Sequence, residues 1–109
     1  MAILKKAFQQ NLASAPLAEE FEFQYDVEIV QILFNSSVDI TEDLSVSYID
    51  TEYGTNYNVL IRNRSLNSES SAAFLEINFR LRKGDKIKIQ CTNANTTGVI
   101  YGTLQVEAK

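Results

Sequence analysis

Residues 75–91, LEINFRLRKGDKIKIQC, decide the fold class of this chain. Apolar residues alternate with polar or charged ones throughout, except at residues 83–85, and a period of two is typical of half-buried β-strands. At the interruption, Gly84 can adopt positive φ without steric cost and Asp85 can bond its own backbone, so a turn is predicted. The stretch therefore predicts two strands in a central hairpin. Their shared apolar face needs a second layer to cover it.

Similar patterns run through the rest of the chain. Further strands are predicted within residues 20–27, 29–34, 44–49, 57–62 and 100–106. The phase of the alternation changes between the first two, which predicts a bend or bulge there, and the second is nearly continuously apolar, as in a central strand. Polar loops recur at intervals of about ten residues. The fold class predicted is all-β, a single antiparallel β-sandwich or jelly-roll of about seven to eight strands.

A β-sandwich of this kind buries the inward residues of both sheets in one core. The predicted core comprises Phe34, Leu44, Val46, Val59, Ile77, Phe79, Ile87, Ile89, Leu104 and Val106.

The N-terminal segment differs from the rest. Its apolar residues Ile3, Leu4, Ala7, Phe8 and Leu12 are spaced by three and four, which predicts one side of a helix of about three turns ending before the proline at position 16. The chain is thus divided into a short N-terminal helical or extended arm, residues 1–16, and a β-sandwich domain, residues 17–109. The arm either packs on its own domain or docks on another chain. The second alternative predicts that Ile3, Leu4, Phe8 and Leu12 contact another subunit.

Composition limits the possible partners and compartments. With 109 residues the chain fits one domain, and its net charge of −4 disfavours binding to nucleic acid or to an anionic membrane. No apolar run approaches the length of a membrane span, and the polar residues at 5–12 argue against a signal peptide. Cys91 is the only cysteine, and its place in an alternating strand predicts a buried thiol in a protein made in a reducing cytoplasm.

Catalytic chemistry has few residues to work with. Histidine is absent, which removes the usual base of nucleophilic catalysis and the commonest transition-metal ligand. Acidic residues cluster at Asp39, Glu42 and Asp43, and again at Asp50 and Glu52, but neither group has the spacing of a calcium loop. The sequence predicts a protein that is not an enzyme and needs no cofactor or metal.

Two surface features each leave two interpretations open. Cations of the central hairpin either face acidic residues on neighbouring strands, with Glu76 a candidate, or form a basic patch for an acidic partner; they are Arg80, Arg82, Lys86 and Lys88. Tyrosines either serve as ordinary strand residues or form a platform on which sugars stack; they are Tyr48, Tyr53, Tyr57 and Tyr101.

Short motifs in the second half of the chain resemble those of a known class of protein. Residues 81–89, LRKGDKIKI, are followed by NAN at 93–95 and VIYG at 99–102, and GTNYNVL stands upstream at 54–60. This arrangement resembles small structural proteins of tailed bacteriophages of the decoration or cement type. The Lys-Gly-Asp turn is also similar to that of trimeric jelly-roll heads of the tumour-necrosis-factor and complement type.

The phage resemblance implies a non-enzymatic virion protein that stabilises the capsid shell. It implies the major capsid protein or other virion proteins as partners, a homo-oligomer, with a trimer as the expected order, and a location in the virion after synthesis in the bacterial cytoplasm. The arm would then contact a neighbouring subunit or the capsid surface. The alternative function is a glycan- or receptor-binding module of a phage head fibre or tail.

Overall fold

The computed structural model describes residues 3–37, 42–50, 52, 58–65, 73–93 and 98–108. Within these ranges the chain forms strands and no helix. The eight strands are β1 Ile3–Asn11, β2 Leu17–Glu22, β3 Val27–Ser36, β4 Asp43–Ile49, β5 Asn58–Ser65, β6 Ala73–Leu81, β7 Lys86–Cys91 and β8 Val99–Ala108.

The strands form two four-stranded sheets whose neighbours are all antiparallel. Sheet A has the order β1-β8-β3-β6 and sheet B the order β2-β7-β4-β5. Inward side chains of both sheets form one apolar cluster that includes Ile32, Leu44, Ile77, Ile89 and Leu104. The predicted all-β antiparallel sandwich is therefore confirmed.

The turn at residues 83–85 is confirmed, but the hairpin predicted around it is wrong. Gly84 has a φ of 91°, and its N–H donates to the carbonyl oxygen of Phe23 at 2.9 Å. However, β6 pairs with β3 in sheet A, whereas β7 pairs with β2 and β4 in sheet B. The turn is a corner that carries the chain from one sheet to the other. Alternation identifies a strand and its inward face, but it carries no information about the partner strand.

A second corner separates β2 from β3. β2 ends at Glu22 and β3 begins at Val27, with Phe23 buried in the core between them. The predicted first strand therefore ends earlier than its pattern suggested, because its last residues belong to the corner and to β3. A register shift does occur, but between Ile29 and Gln31, inside β3. The central position of β3, between β8 and β6, is as predicted.

The helix predicted near the N-terminus is wrong, because this segment is the extended edge strand β1. It pairs with β8 from Ile3 opposite Glu107 to Asn11 opposite Val99. Phe8 and Leu12 lie in the core, whereas Ala7 and Gln9 are exposed. Backbone pairing with β8 and burial of Phe8 outweigh a helical spacing that was short and had no second surface to pack against. Residues 3–11 are thus a strand of the sandwich in sheet A.

Most of the predicted core is buried, with two exceptions. Phe79 is half-buried and packs against the edge of the cluster. Val59 is 41% exposed, so its assignment to the core is wrong. It lies on β5, an edge strand whose register with β4 shifts between Val46 and Ser47. The shift and the edge position leave the apolar residues at this end of β5 in contact with solvent.

Candidate interaction surface

The acidic residues singled out from the sequence do not form a metal site among the described residues, where no group of three or more ligands is close enough. Asp39 lies outside the described residues. Glu42 is buried and accepts a hydrogen bond of 2.6 Å from the hydroxyl of Thr92, whereas Asp43 is exposed at the start of β4. The Glu42 carboxylate therefore fastens the loop after β7 to the segment before β4.

Asp50 and Glu52 face a cation. Nη2 of Arg82 lies 3.2 Å from Oδ2 of Asp50 and 3.2 Å from Oε2 of Glu52, and Nε lies 3.9 Å from Oδ2 of Asp85. The hydrogen bond to Glu52 and then the charges of Asp50 and Asp85 raise the pKa of Arg82 above its usual value. Asp85 also accepts the backbone N–H of Arg82 at 3.1 Å. This group ties the corner between β6 and β7 to the end of β4.

Replacing Asp85 with alanine should lower the free energy of unfolding by about 1–2 kcal/mol, because a buried backbone N–H loses its acceptor. Asp85 is 6% exposed, so water replaces the carboxylate poorly. The matched control is Glu52→Ala, which removes an exposed partner of the same arginine and should change stability by less than about 0.5 kcal/mol. Urea denaturation measures both. Equal effects of the two substitutions would contradict the assignment.

The remaining cations face acids rather than each other. Glu28 lies opposite Arg80 in the ladder between β3 and β6, with its Oε1 3.5 Å from Nε. In sheet B, Lys86 lies opposite Glu22 and Lys88 opposite Glu20. The structure thus favours the interpretation with acidic neighbours over the basic patch. Glu76, the candidate neighbour, is instead opposite Gln31.

The four tyrosines do not come together as one platform within the described structure. Tyr48 is half-buried and its ring lies 5.1 Å from that of Phe79. Tyr101 is 41% exposed on sheet A. Tyr53 and Tyr57 lie outside the described residues. Of the two tyrosines that the structure places, only Tyr101 offers much of its ring to a ligand or partner.

The residues predicted to contact another subunit fall into two groups. Phe8 and Leu12 are 6% and 2% exposed in the core of their own chain. Leu4 is partly buried against that core, and the side chain of Ile3 lies outside the described part. An intermolecular role for this segment therefore stays a prediction, and the burial of Phe8 and Leu12 assigns them first to the fold.

An uncharged surface that the sequence did not single out lies on the outer face of sheet A. We call it the Tyr101 face, and it comprises Ala7, Gln9, Leu33, Asn35, Tyr101 and Thr103. These residues line an open depression of about 570 Å³ whose floor is formed around Phe8, Phe34 and Gly102. Leu33 is 44% exposed. Exposed apolar side chains on a face without ionisable groups are typical of a surface that binds a partner.

Leu33 was missed because it belongs to the nearly continuous apolar run of β3, which predicted burial on both sides. Ile32 and Phe34 point into the core, so Leu33 points outward. The sequence signal for the face was the absence of charge at alternate positions of β1, β3 and β8, and it becomes visible only when the strand order is known.

Cys91 is buried below the other sheet. Burial raises the pKa of its thiol from 9.0 to about 11, and the charges of Glu42 and Asp43 act in the same direction. At neutral pH the thiol is protonated, and a thiol is a poor nucleophile.

Native protein should therefore react slowly with a disulfide reagent at pH 8 and rapidly once unfolded in urea. The unfolded thiol ionises near pH 9 and the folded one near pH 11, so the folded state holds the proton longer and stability should fall as the pH rises between these values. Absorbance of the released thiolate follows the reaction. Rapid stoichiometric labelling of folded protein at pH 8 would contradict the burial. The Cys91→Ala variant, which should show no labelling, controls for other nucleophiles.

The described part of the chain contains no helix long and apolar enough to cross a membrane.

Comparison with known proteins places the fold but not a family. No family model and no curated protein matches the chain. Among solved structures, the chain is similar to a nucleoplasmin-like core from Drosophila, described with pentamer formation and histone binding. The two are 10% identical, with 94% of this chain and 97% of that chain covered and a TM-score of 0.52.

Two viral structures are similar to the same extent. One is infectious bursal disease virus of the Gt strain, with 10% identity, a TM-score of 0.54, and coverage of 96% of this chain and 32% of that chain. The other is a mutant VP2 protein of the same virus in derived T=1 particles, with 10% identity, a TM-score of 0.52, and coverage of 96% and 31%. The chain thus spans about a third of these viral chains. At such identities the similarity defines the class of fold, a jelly-roll-like antiparallel sandwich.

Proposed function

We propose that this protein is a non-enzymatic structural protein of a tailed-bacteriophage virion, a capsid decoration protein that stabilises the shell. The observation that carries the proposal is the Tyr101 face, an uncharged surface with exposed Leu33 and Tyr101 on a rigid antiparallel sandwich. A protein whose work is to hold other proteins together needs such a surface more than it needs a catalytic cleft. The phage-like motifs around Gly84 and Gly102 supply the virion context.

The similar structures support this proposal at the level of fold. A sandwich of this class occurs in the VP2 protein of derived T=1 particles and in the Drosophila core described with pentamer formation. Both descriptions concern assemblies, so we propose a homo-oligomer here as well. Symmetric copies bind a symmetric shell at several points, and individually weak contacts add through multivalency.

The non-enzymatic part of the proposal is supported by how the ionisable side chains are used. Arg82 faces Asp50 and Glu52, and the Glu42 carboxylate accepts from Thr92. These groups hold loops and corners in place. The thiol of Cys91 is buried and its pKa is raised, so it is not an activated nucleophile.

Purified phage particles test the proposal. The protein should be present in many copies on the shell, with density that contacts the major capsid protein, and particles that lack it should lose DNA at lower temperature than particles to which it is added back. Its absence from purified particles, or its presence as one copy at the tail tip, would overturn the decoration role. Synthesis in the host cytoplasm requires no oxidation, and a chain with one cysteine can form no internal disulfide.

A glycan-binding module of a head fibre or tail is the second candidate. The observation that favours it is the exposed ring of Tyr101, which has Gln9, Asn35 and Thr103 around it as neutral hydrogen-bonding groups. Binding to a glycan array that is abolished by Tyr101→Ala and unaffected by Tyr25→Ala, which removes an equally exposed tyrosine, would support this function.

A further inference from the structure

The outer face of sheet A carries opposite charges at its two edges. The ladders place four side chains in one row across the sheet, in the order Lys5, Gln105, Gln31 and Glu76. At the centre of this row, Nε2 of Gln31 donates to Oε1 of Gln105 at 2.7 Å. Lys5 on β1 and Glu76 on β6 are both exposed. The row is therefore positive at one edge, neutral in the middle and negative at the other edge.

The Tyr101 face lies next to this row on the same outer surface. Ala7, Thr103 and Leu33 form the adjacent row, and Gln9, Tyr101 and Asn35 the row after it. These side chains carry no charge.

We propose that the outer face of sheet A packs against the same face of a second copy of this chain, about a two-fold axis parallel to the strands. This contact specifies the interface of the homo-oligomer in the proposed function. The axis passes between β8 and β3, so β1 of one copy lies over β6 of the other. It leaves each row facing its own reverse. Lys5 of each copy then faces Glu76 of the other, and two ion pairs flank a neutral centre.

The charge distribution favours a second copy over an unrelated protein. In a contact between identical surfaces a charged centre meets its own sign, so a self-contact requires either a neutral centre or charges of opposite sign placed symmetrically about the axis. The outer face of sheet A has both features. Its centre has exposed Leu33 and Tyr101, and tyrosine is enriched and charge depleted in the middle of interfaces.

The geometry of packed sheets is compatible with this contact. Neighbouring strands lie about 4.8 Å apart, so β1 and β6 are separated by about 14 Å, and two face-packed sheets lie about 10 Å apart with strands within about 30° of each other. Long side chains at the rim, such as lysine and glutamate, span such a separation more readily than the short residues at the centre.

Sedimentation equilibrium of the isolated protein tests the contact without reference to a virion. Wild-type protein should associate into an even number of 12.3-kDa copies. Leu33→Glu and Tyr101→Glu place a charge opposite itself and should each weaken association by more than about tenfold. The matched control is Val59→Glu, at an equally exposed position on β5 of sheet B, and it should associate as wild type. Circular dichroism should show that all three variants are folded, since each site is on the surface.

A charge exchange distinguishes this arrangement from any other use of the same face. Lys5→Glu and Glu76→Lys should each weaken association several-fold in low salt, and the double variant should restore it. Lys83→Glu makes the same change in net charge away from the face and should have no such effect.

Three outcomes would overturn the proposal. They are a wild-type monomer at millimolar concentration, an assembly with an odd number of copies, or single charge variants whose defects add in the double variant. A monomer whose Tyr101 fluorescence responds to a neutral maltooligosaccharide would replace the self-contact with the glycan site. Because the assay uses isolated protein, a failed self-contact leaves the virion role to be judged on particles, and the reverse also holds.

Discussion

Gly102→Ala is expected to lower the free energy of unfolding by about 1–3 kcal/mol, the usual cost of overpacking a filled core. Gly102 on β8 lies directly opposite Phe8 on β1 and Phe34 on β3. A Cβ at this position would overlap the ring of Phe8. Phe8 is itself 6% exposed within the core, so its ring has no free space into which it can move. The glycine is required for side-chain packing, because the ring of its cross-strand partner occupies the space above it.

A double-mutant cycle isolates this contact. Phe8→Leu alone should destabilise the protein by leaving a cavity, but in the Gly102→Ala background it should recover part of the lost stability because the smaller side chain admits the methyl group. Thr103→Ala, at the next position of β8 on the outer face, is the matched control and should change stability by less than about 0.5 kcal/mol. Urea denaturation measures each free energy. Additive effects of the two substitutions would contradict the overlap.

The strands were largely predictable because their information is local. Alternation identified β6 and β7, and the conformational freedom of glycine identified the turn at Gly84, which has a φ of 91°. The pairing was not predictable in the same way. Whether a turn closes a hairpin or crosses between two sheets depends on contacts with distant strands, here β3 for β6 and β2 and β4 for β7.

The N-terminal segment shows how a short pattern can indicate the wrong element. Leu4, Phe8 and Leu12 satisfy a helical spacing of four, but they also satisfy a spacing of two, since four is a multiple of both periods. Ten or so residues cannot decide between these periods. The decision comes from β8, whose Gly102 provides room for Phe8 only when the segment is extended beside it.

The candidate surface was beyond the sequence for a related reason. Tyr101 was noted as one of four tyrosines, and Leu33 was hidden in an apolar run. Their positions on one face depend on the neighbouring positions of β8 and β3 in sheet A. A face without charge is a property of several strands together, and each strand alone shows only ordinary polar residues.

Deletion of residues 1–16 is expected to abolish folding, which reverses what a separate arm would imply. The deletion removes β1 and with it Phe8 and Leu12, which are 6% and 2% exposed in the core. Losing one large buried apolar side chain typically costs about 2–5 kcal/mol, and the whole stability of a small domain is about 5–15 kcal/mol. The deletion also leaves the backbone of β8 without its partner along one side.

The deleted protein should lack a cooperative thermal transition by circular dichroism and should show collapsed amide dispersion by nuclear magnetic resonance. The matched control keeps the strand and changes only its exposed surface. Lys5→Ala with Gln9→Ala alters two outward residues of β1 and should leave the melting temperature within a few degrees of wild type, because surface substitutions usually change stability by less than about 0.5 kcal/mol each. If the shortened chain still unfolded in one sharp transition near the wild-type temperature, residues 1–16 would be an arm after all. Phe8 and Leu12 would then be available to another subunit, as the spacing of the sequence first suggested.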